Sequence, residues 1–123
     1  MRRYLLPMLA VGTMMTATAA HAVQTSCPAS QKSKALNAAS LFDGPPEGMV
    51  ELRPEEGKEK NGLLRTYWML GDIHKAGRVP HLVCGYEDGG QVVMKLGKTV
   101  RACIRFVRTD KKGNSSVFSV RCE

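Results

Sequence analysis

The residues able to do chemistry in this chain are few, and the cysteines come first. Cys27, Cys84, Cys103 and Cys122 are separated by 57, 19 and 19 residues. Structural zinc is held by cysteines in close pairs such as C-x2-C, so this spacing argues against a zinc module. An even number of widely spaced cysteines reads as two disulfides. His74 and His81 lie seven apart across Gly77 and Pro80, near Asp72 and Asp88. That interval matches no metal-ligand motif, and solvated loop positions account for both histidines. Cys84 follows His81 by three residues, an odd interval that sends two strand side chains to opposite faces. Ser115 and Ser116 have no nucleophile elbow around them, and Gly85, Gly89 and Gly90 fit no phosphate loop. Glu55, Glu56 and Glu59 stand in a charged segment without the burial that tunes a catalytic carboxylate. No catalytic residue, metal site or cofactor is assigned, and the chain reads as a non-enzyme.

What positions these residues begins with an export signal. Arg2 and Arg3 precede an apolar run over residues 4–11, broken by Pro7, and Ala20 and Ala22 supply the small side chains that signal peptidase needs before its cut. Residues 1–22 therefore read as a cleavable signal peptide and residues 23–123, beginning at Val23, as a single domain. The apolar run is about half the ~18 residues of a membrane anchor, and no cysteine follows the small residues directly, as lipidation would require. The mature chain is expected to carry no transmembrane segment and to reside in the periplasm, with secretion beyond it left open; disulfides persist there. Losing residues 1–22 removes two arginines and no acid, taking the formal charge from +7 to +5. About a hundred residues build one core, marginal without staples.

Along the mature chain the signals are mostly those of strands. Residues 23–33 are polar and read as an extended segment pinned by Cys27. Residues 34–42 fit a short helix or a strand, since at this length periodicity does not decide. Asp43, Gly44, Pro45, Pro46, Glu47 and Gly48 make a rigid turn, because each proline fixes its own φ and restricts the residue before it. Residues 49–52 suggest a brief strand, and residues 53–62 have the composition of an exposed, mobile charged loop. Leu64, Thr66, Trp68 and Leu70 then alternate with Arg65, Tyr67 and Met69. Residues 71–80 read as a loop. Residues 81–86 and 91–96 flank Asp88-Gly89-Gly90, a hairpin signal. Val100, Ala102, Ile104 and Phe106 alternate with Arg101, Cys103 and Arg105, and residues 117–122 close the sheet. The expected fold is mainly β: a small, disulfide-stabilised antiparallel meander of four or five strands, with one short N-terminal element packed on it.

Register arithmetic bears on the disulfides. Centring the last hairpin between Lys112 and Gly113 sets Cys103 opposite Cys122, which leaves Cys27 for Cys84. The same register sets Ile104 beside Arg121 and Phe106 beside Ser119. A shift of one residue pairs Ile104 with Val120 and Phe106 with Phe118, but separates the cysteines. A β-bulge reconciles the two. Three connectivities stay open.

Charge is uneven. Residues 43–60 carry six acids against three bases, and residues 95–123 eight bases against two acids. Lys98, Arg101, Arg105, Arg108, Lys111 and Lys112 form a candidate basic patch for anionic lipid or polymer, although a solvated sheet face explains them as well.

Cys27-Pro28, the stretch Leu41-Phe42-Asp43-Gly44-Pro45-Pro46-Glu47, Leu52 before Pro54, Trp68, Val83-Cys84 with Tyr86, and Cys103 together resemble a family of small exported Gram-negative proteins with no assigned activity. The resemblance implies a periplasmic domain and carries over no catalytic residue. The leading expectation is a non-catalytic binding or inhibitory domain whose partner is an exported protein, such as a cell-wall hydrolase or a toxin against which it protects. Nucleic acid is not an expected partner. The candidate contact is Phe42, Asp43, Gly44, Pro45, Pro46 and Glu47, because a proline-fixed loop loses little entropy on docking. An envelope-associated structural protein using the basic face is the second expectation, and an enzyme the weakest.

Overall fold

Ten strands, one short helix and one 3-10 turn make up the computed structural model, which describes residues 25–123. The export signal and the cut before Val23 lie outside the described residues. The strands are β1 (Thr25–Ser26), β2 (Ser30–Gln31), β3 (Lys34–Asp43), β4 (Glu51–Leu52), β5 (Glu55–Lys60), β6 (Leu63–Met69), β7 (Pro80–Tyr86), β8 (Gln91–Lys95), β9 (Ala102–Thr109) and β10 (Ser115–Cys122). The 3-10 turn is Pro46–Gly48 and the helix, α1, is Gly71–Lys75. The fold is mainly β, antiparallel and disulfide-stapled, as the sequence implies. Its strands are shared between two facing sheets, one in the order β1-β10-β9-β6-β5 and the other β2-β3-β7-β8 with β4 paired to β3.

Residues 34–42 resolve as strand. Leu36, Ala39 and Leu41 all turn into the core because a bulge at Asn37 breaks the two-residue alternation, and this break is what obscured the period. Residues 53–62, expected as a mobile loop, instead form β5 and a tight hairpin to β6. Asn61 and Gly62 take φ of 54° and 75°, the geometry of a primed two-residue turn. Gly57 lets β5 close on β6, since a Cβ there would stand 2.7 Å from the Arg65 carbonyl oxygen. Part of the expected loop over residues 71–80 is helical. α1 buries Ile73, and the His74 ring donates from Nε2 to the Val100 carbonyl at 2.7 Å.

Both cystines are Cys27–Cys84 and Cys103–Cys122. The last hairpin carries the reconciling bulge: Cys103 faces Cys122 and Phe106 faces Ser119, then the register slips so that Val107 faces Val117. The extra residue is Phe118, half-exposed beneath Arg108, whose guanidinium carbon lies 4.3 Å from the ring centre.

This register decides which face of the five-stranded sheet is inside. Cys103, Arg105 and Val107 stand beside Trp68, Thr66 and Leu64 on one side and Cys122, Val120 and Val117 on the other; this is the inward face, and all but the partly exposed Leu64 and Arg105 are buried in or packed against the core. From the opposite sheet come Leu36, Ala39, Leu41, Leu82, Cys84 and Tyr86. Leu41 and Leu82 are wholly buried, each contributing about 1.5–3 kcal/mol of hydrophobic transfer. The face expected to be solvated thus points inward at Arg105, while Phe106, half-buried, and Ile104, buried all the same, lie on the outer side of the sheet. Arg105 reaches across the sandwich: Nε donates to Thr66 Oγ1 at 3.0 Å and Nη1 to the Ala39 carbonyl at 2.9 Å, with its guanidinium carbon 4.9 Å from the Trp68 ring centre. β2 and β4 pair with β3 only at its two ends, and Ala39 lies between them, so the guanidinium fills a gap along that edge. Burial lowers the Arg105 pKa below its usual value, and the charge of Glu51 opposes that shift.

Candidate functional site

The proline turn leaves the sheet where β3 ends. The Asp43 N–H donates to the Val50 carbonyl at 2.8 Å and the Gly44 N–H to the Val79 carbonyl at 3.1 Å, clamping the exit from both sides. Gly44 takes φ +92°, where a side chain would be strained even though the space around it is open. Pro45 is extended, Pro46 opens the 3-10 turn, and the N–H groups of Gly48 and Met49 donate back to Pro45 and Pro46, each at 3.0 Å. Arg78 completes the brace. Its Nε and Nη2 donate to the two Asp43 carboxylate oxygens at 2.7 and 2.9 Å, a bidentate pair. That hydrogen bond, and secondarily the Asp43 charge, raise the Arg78 pKa further.

Beside this turn is a cleft of about 700 Å³ lined by Asp43, Gly44, Pro45, Pro46, Glu47, Arg78, Val79, His81, Val93 and Lys95. Five of the six residues expected to contact a partner line it; Phe42 lies in β3 beside His81 and Glu51. The other half of the wall comes from β7, β8 and the segment before β7, which pairing along β3 brings together. Its mixed acids and bases sit with Val79 and Val93, 46% and 52% exposed, and the chain leaving the turn exposes Met49 (83%) and Val50 (52%) just beyond the lining. The His81 ring is buried and bonded through Nδ1 to the Val79 carbonyl at 2.9 Å. The cleft therefore offers shape, apolar surface and charge on a braced frame, which suits binding.

The candidate basic residues are not brought together. Arg105 enters the core and Arg108 lies on the outer face of the five-stranded sheet. Lys98 and Arg101 stand before β9, and Lys111 and Lys112 in the turn after it. The eight residues of β9 between them span roughly 26 Å at the usual rise of a strand. Among the described residues no group of three or more His, Cys, Asp or Glu side chains is placed to hold a metal, and no helix is long and apolar enough to cross a membrane.

Fold and site together define a small, stapled β protein with a cleft beside a braced proline turn. The model of the type VI secretion system Tli immunity protein family matches residues 30–123, and the chain belongs to that family. Membership fits a non-catalytic, protective role exercised by binding a toxin, and the two cystines fit an oxidising compartment. The motif resemblance reached only a family without an assigned activity; the match supplies an immunity family in its place. No curated protein and no solved structure matches the chain.

Proposed function

We propose that this protein is exported by its N-terminal signal, matures at Val23, and protects the periplasm by binding a toxin of a type VI secretion system at the cleft beside Asp43, Pro45, Pro46 and Glu47. Family membership supports the toxin. The observation that carries the site is the meeting, in one cleft, of a doubly clamped proline turn with exposed Val79 and Val93, while exposed Met49 and Val50 follow directly on the turn. Apolar side chains kept in water on a rigid frame gain from being covered and lose little conformational entropy on docking. The polar rim of Asp43, Glu47, Arg78 and Lys95 supplies orientation, as charged rims do around apolar interface centres. The Asp43–Arg78 pair fixes the turn, and Glu47 and Lys95 remain for the partner.

The test is calorimetric titration of the oxidised mature chain with inactivated candidate type VI secretion system toxins from the same genome. Met49→Asp and Val93→Asp place a charge where the apolar fringe would be covered, and each should weaken binding at least tenfold without lowering the melting temperature. Unchanged affinity in both variants would remove the cleft from the interface. Absence of binding by the wild-type chain would remove the toxin reading.

A further inference from the structure

The outer face of the five-stranded sheet has an unusual make-up for a solvated surface. Cross-strand pairing sets Arg65 beside Phe106, Tyr67 beside Ile104 and Leu63 beside Arg108, and the bulged Phe118 adds a half-exposed ring under Arg108. Two shallow hollows of about 450 and 480 Å³ run along it and share Lys58 and Arg65 in their walls. Arg65 and Arg108 form no ion pair among the described residues. The bulge that admits the Cys103–Cys122 pairing also exposes Phe118, and the inward turn of Arg105 leaves half-buried Phe106 on this side, with Ile104 buried beneath its neighbours.

We infer that this face is a second docking surface, taking an acidic patch on the toxin. The inference rests on the toxin-binding reading but concerns a surface separate from the proline cleft. Aromatic side chains and arginines in alternation are the composition of protein interface centres, where arginine and tyrosine carry much of the binding energy. Arginine also pairs bidentately with carboxylates, which suits an acidic protein surface. The lysines Lys58 and Lys60 stand on the edge strand β5, a cationic rim around the aromatic centre. Lys111 and Lys112, the adjacent pair best suited to an anionic membrane, lie in the β9–β10 turn, outside the two hollows. Unpaired cations on this face should also speed association with an acidic partner in a salt-dependent way.

The experiment titrates the inactivated toxin into wild type, Arg65→Glu/Arg108→Glu, the charge-conserving Arg65→Lys/Arg108→Lys and Phe118→Ala, at 50 and 500 mM NaCl, with circular dichroism and melting curves on each. The glutamate pair should lose at least tenfold in affinity and most of the salt dependence. The lysine pair should keep the salt dependence, and Phe118→Ala should lose several-fold at both salt concentrations. Wild-type affinity and salt dependence in the folded glutamate pair would overturn the inference and leave the cleft untouched. Should the glutamate pair unfold, Phe118→Ala and the lysine pair decide it: wild-type affinity in both would overturn the inference. Sedimentation with phosphatidylglycerol vesicles that the glutamate pair abolishes would assign the face to lipid and overturn it too. A wild-type chain that binds no toxin would overturn both readings together.

Discussion

Replacing Arg105 with alanine separates an inward-facing arginine from a surface one. The guanidinium donates to Thr66 Oγ1 and to the Ala39 carbonyl and lies over Trp68. A hydrogen bond from a charged donor contributes about 1.5–3 kcal/mol, and a buried acceptor left unpaired costs about 1–3. A cation over an aromatic ring adds about 0.5–2 kcal/mol. Against these stands the cost of holding a charge away from water, the same desolvation that lowers the Arg105 pKa. The balance for a side chain that keeps some contact with solvent is a loss of about 3 kcal/mol, or a fall in melting temperature of roughly 12–24 °C for a domain of this size. Arg105→Met keeps the stem against Trp68 and removes the buried charge, so it should lose only about 1–2 kcal/mol. Arg101→Ala, on an exposed residue, is the control and should stay within about 0.5 kcal/mol. Urea unfolding monitored by Trp68 fluorescence reads all three. A value for Arg105→Ala inside the range of the control would refute the claim that this cation ties the two sheets together.

Reducing the cystines should unfold the chain or lower its melting temperature sharply, because the loops they close are worth roughly 4 kcal/mol for Cys27–Cys84 and 3 for Cys103–Cys122 in the chain-entropy model; melting with and without reductant measures it, and non-reducing peptide mapping checks the pairing. Gly57→Ala should cost about 1–3 kcal/mol by forcing β5 off the Arg65 carbonyl, whereas alanine at Gly97, which has open space and no positive φ, should be tolerated; chemical denaturation compares them. Asp43→Ala with Glu47→Ala should leave the domain folded, with at most a small fall in melting temperature from the lost Arg78 pair, yet weaken toxin binding, which melting and calorimetry on the same sample separate.

Much of the frame was legible where turn chemistry and register speak locally. Asp88-Gly89-Gly90 marked the β7–β8 hairpin, and the conflict between the cysteine register and the apolar register called for a bulge, which falls at Phe118. β5 was missed because Glu55, Glu56, Lys58, Glu59 and Lys60 look like loop residues, although Asn61-Gly62 is a strong hairpin signal. Such charge is how an edge strand is kept from pairing with other chains. The polarity of β9 was misread for a tertiary reason. Cys103 is in the core with its partner Cys122, and alternation then carries Arg105 inward with it, where Thr66, Ala39 and Trp68 satisfy it. At the cleft, the proline turn was visible in the sequence. Arg78, Val79, Val93 and Lys95 were not, since nothing local says that β3 pairs with β7 and so brings the β7–β8 hairpin beside the turn.

The most direct measurement is survival. Cells that export the active toxin to their own periplasm are made to co-produce this chain with its signal, without its signal, or with its signal and both Met49→Asp and Val93→Asp. If the cleft captures the toxin in the periplasm, only the exported wild-type chain restores growth. Protection by the chain retained in the cytoplasm, or full protection by the exported cleft variant, would contradict it.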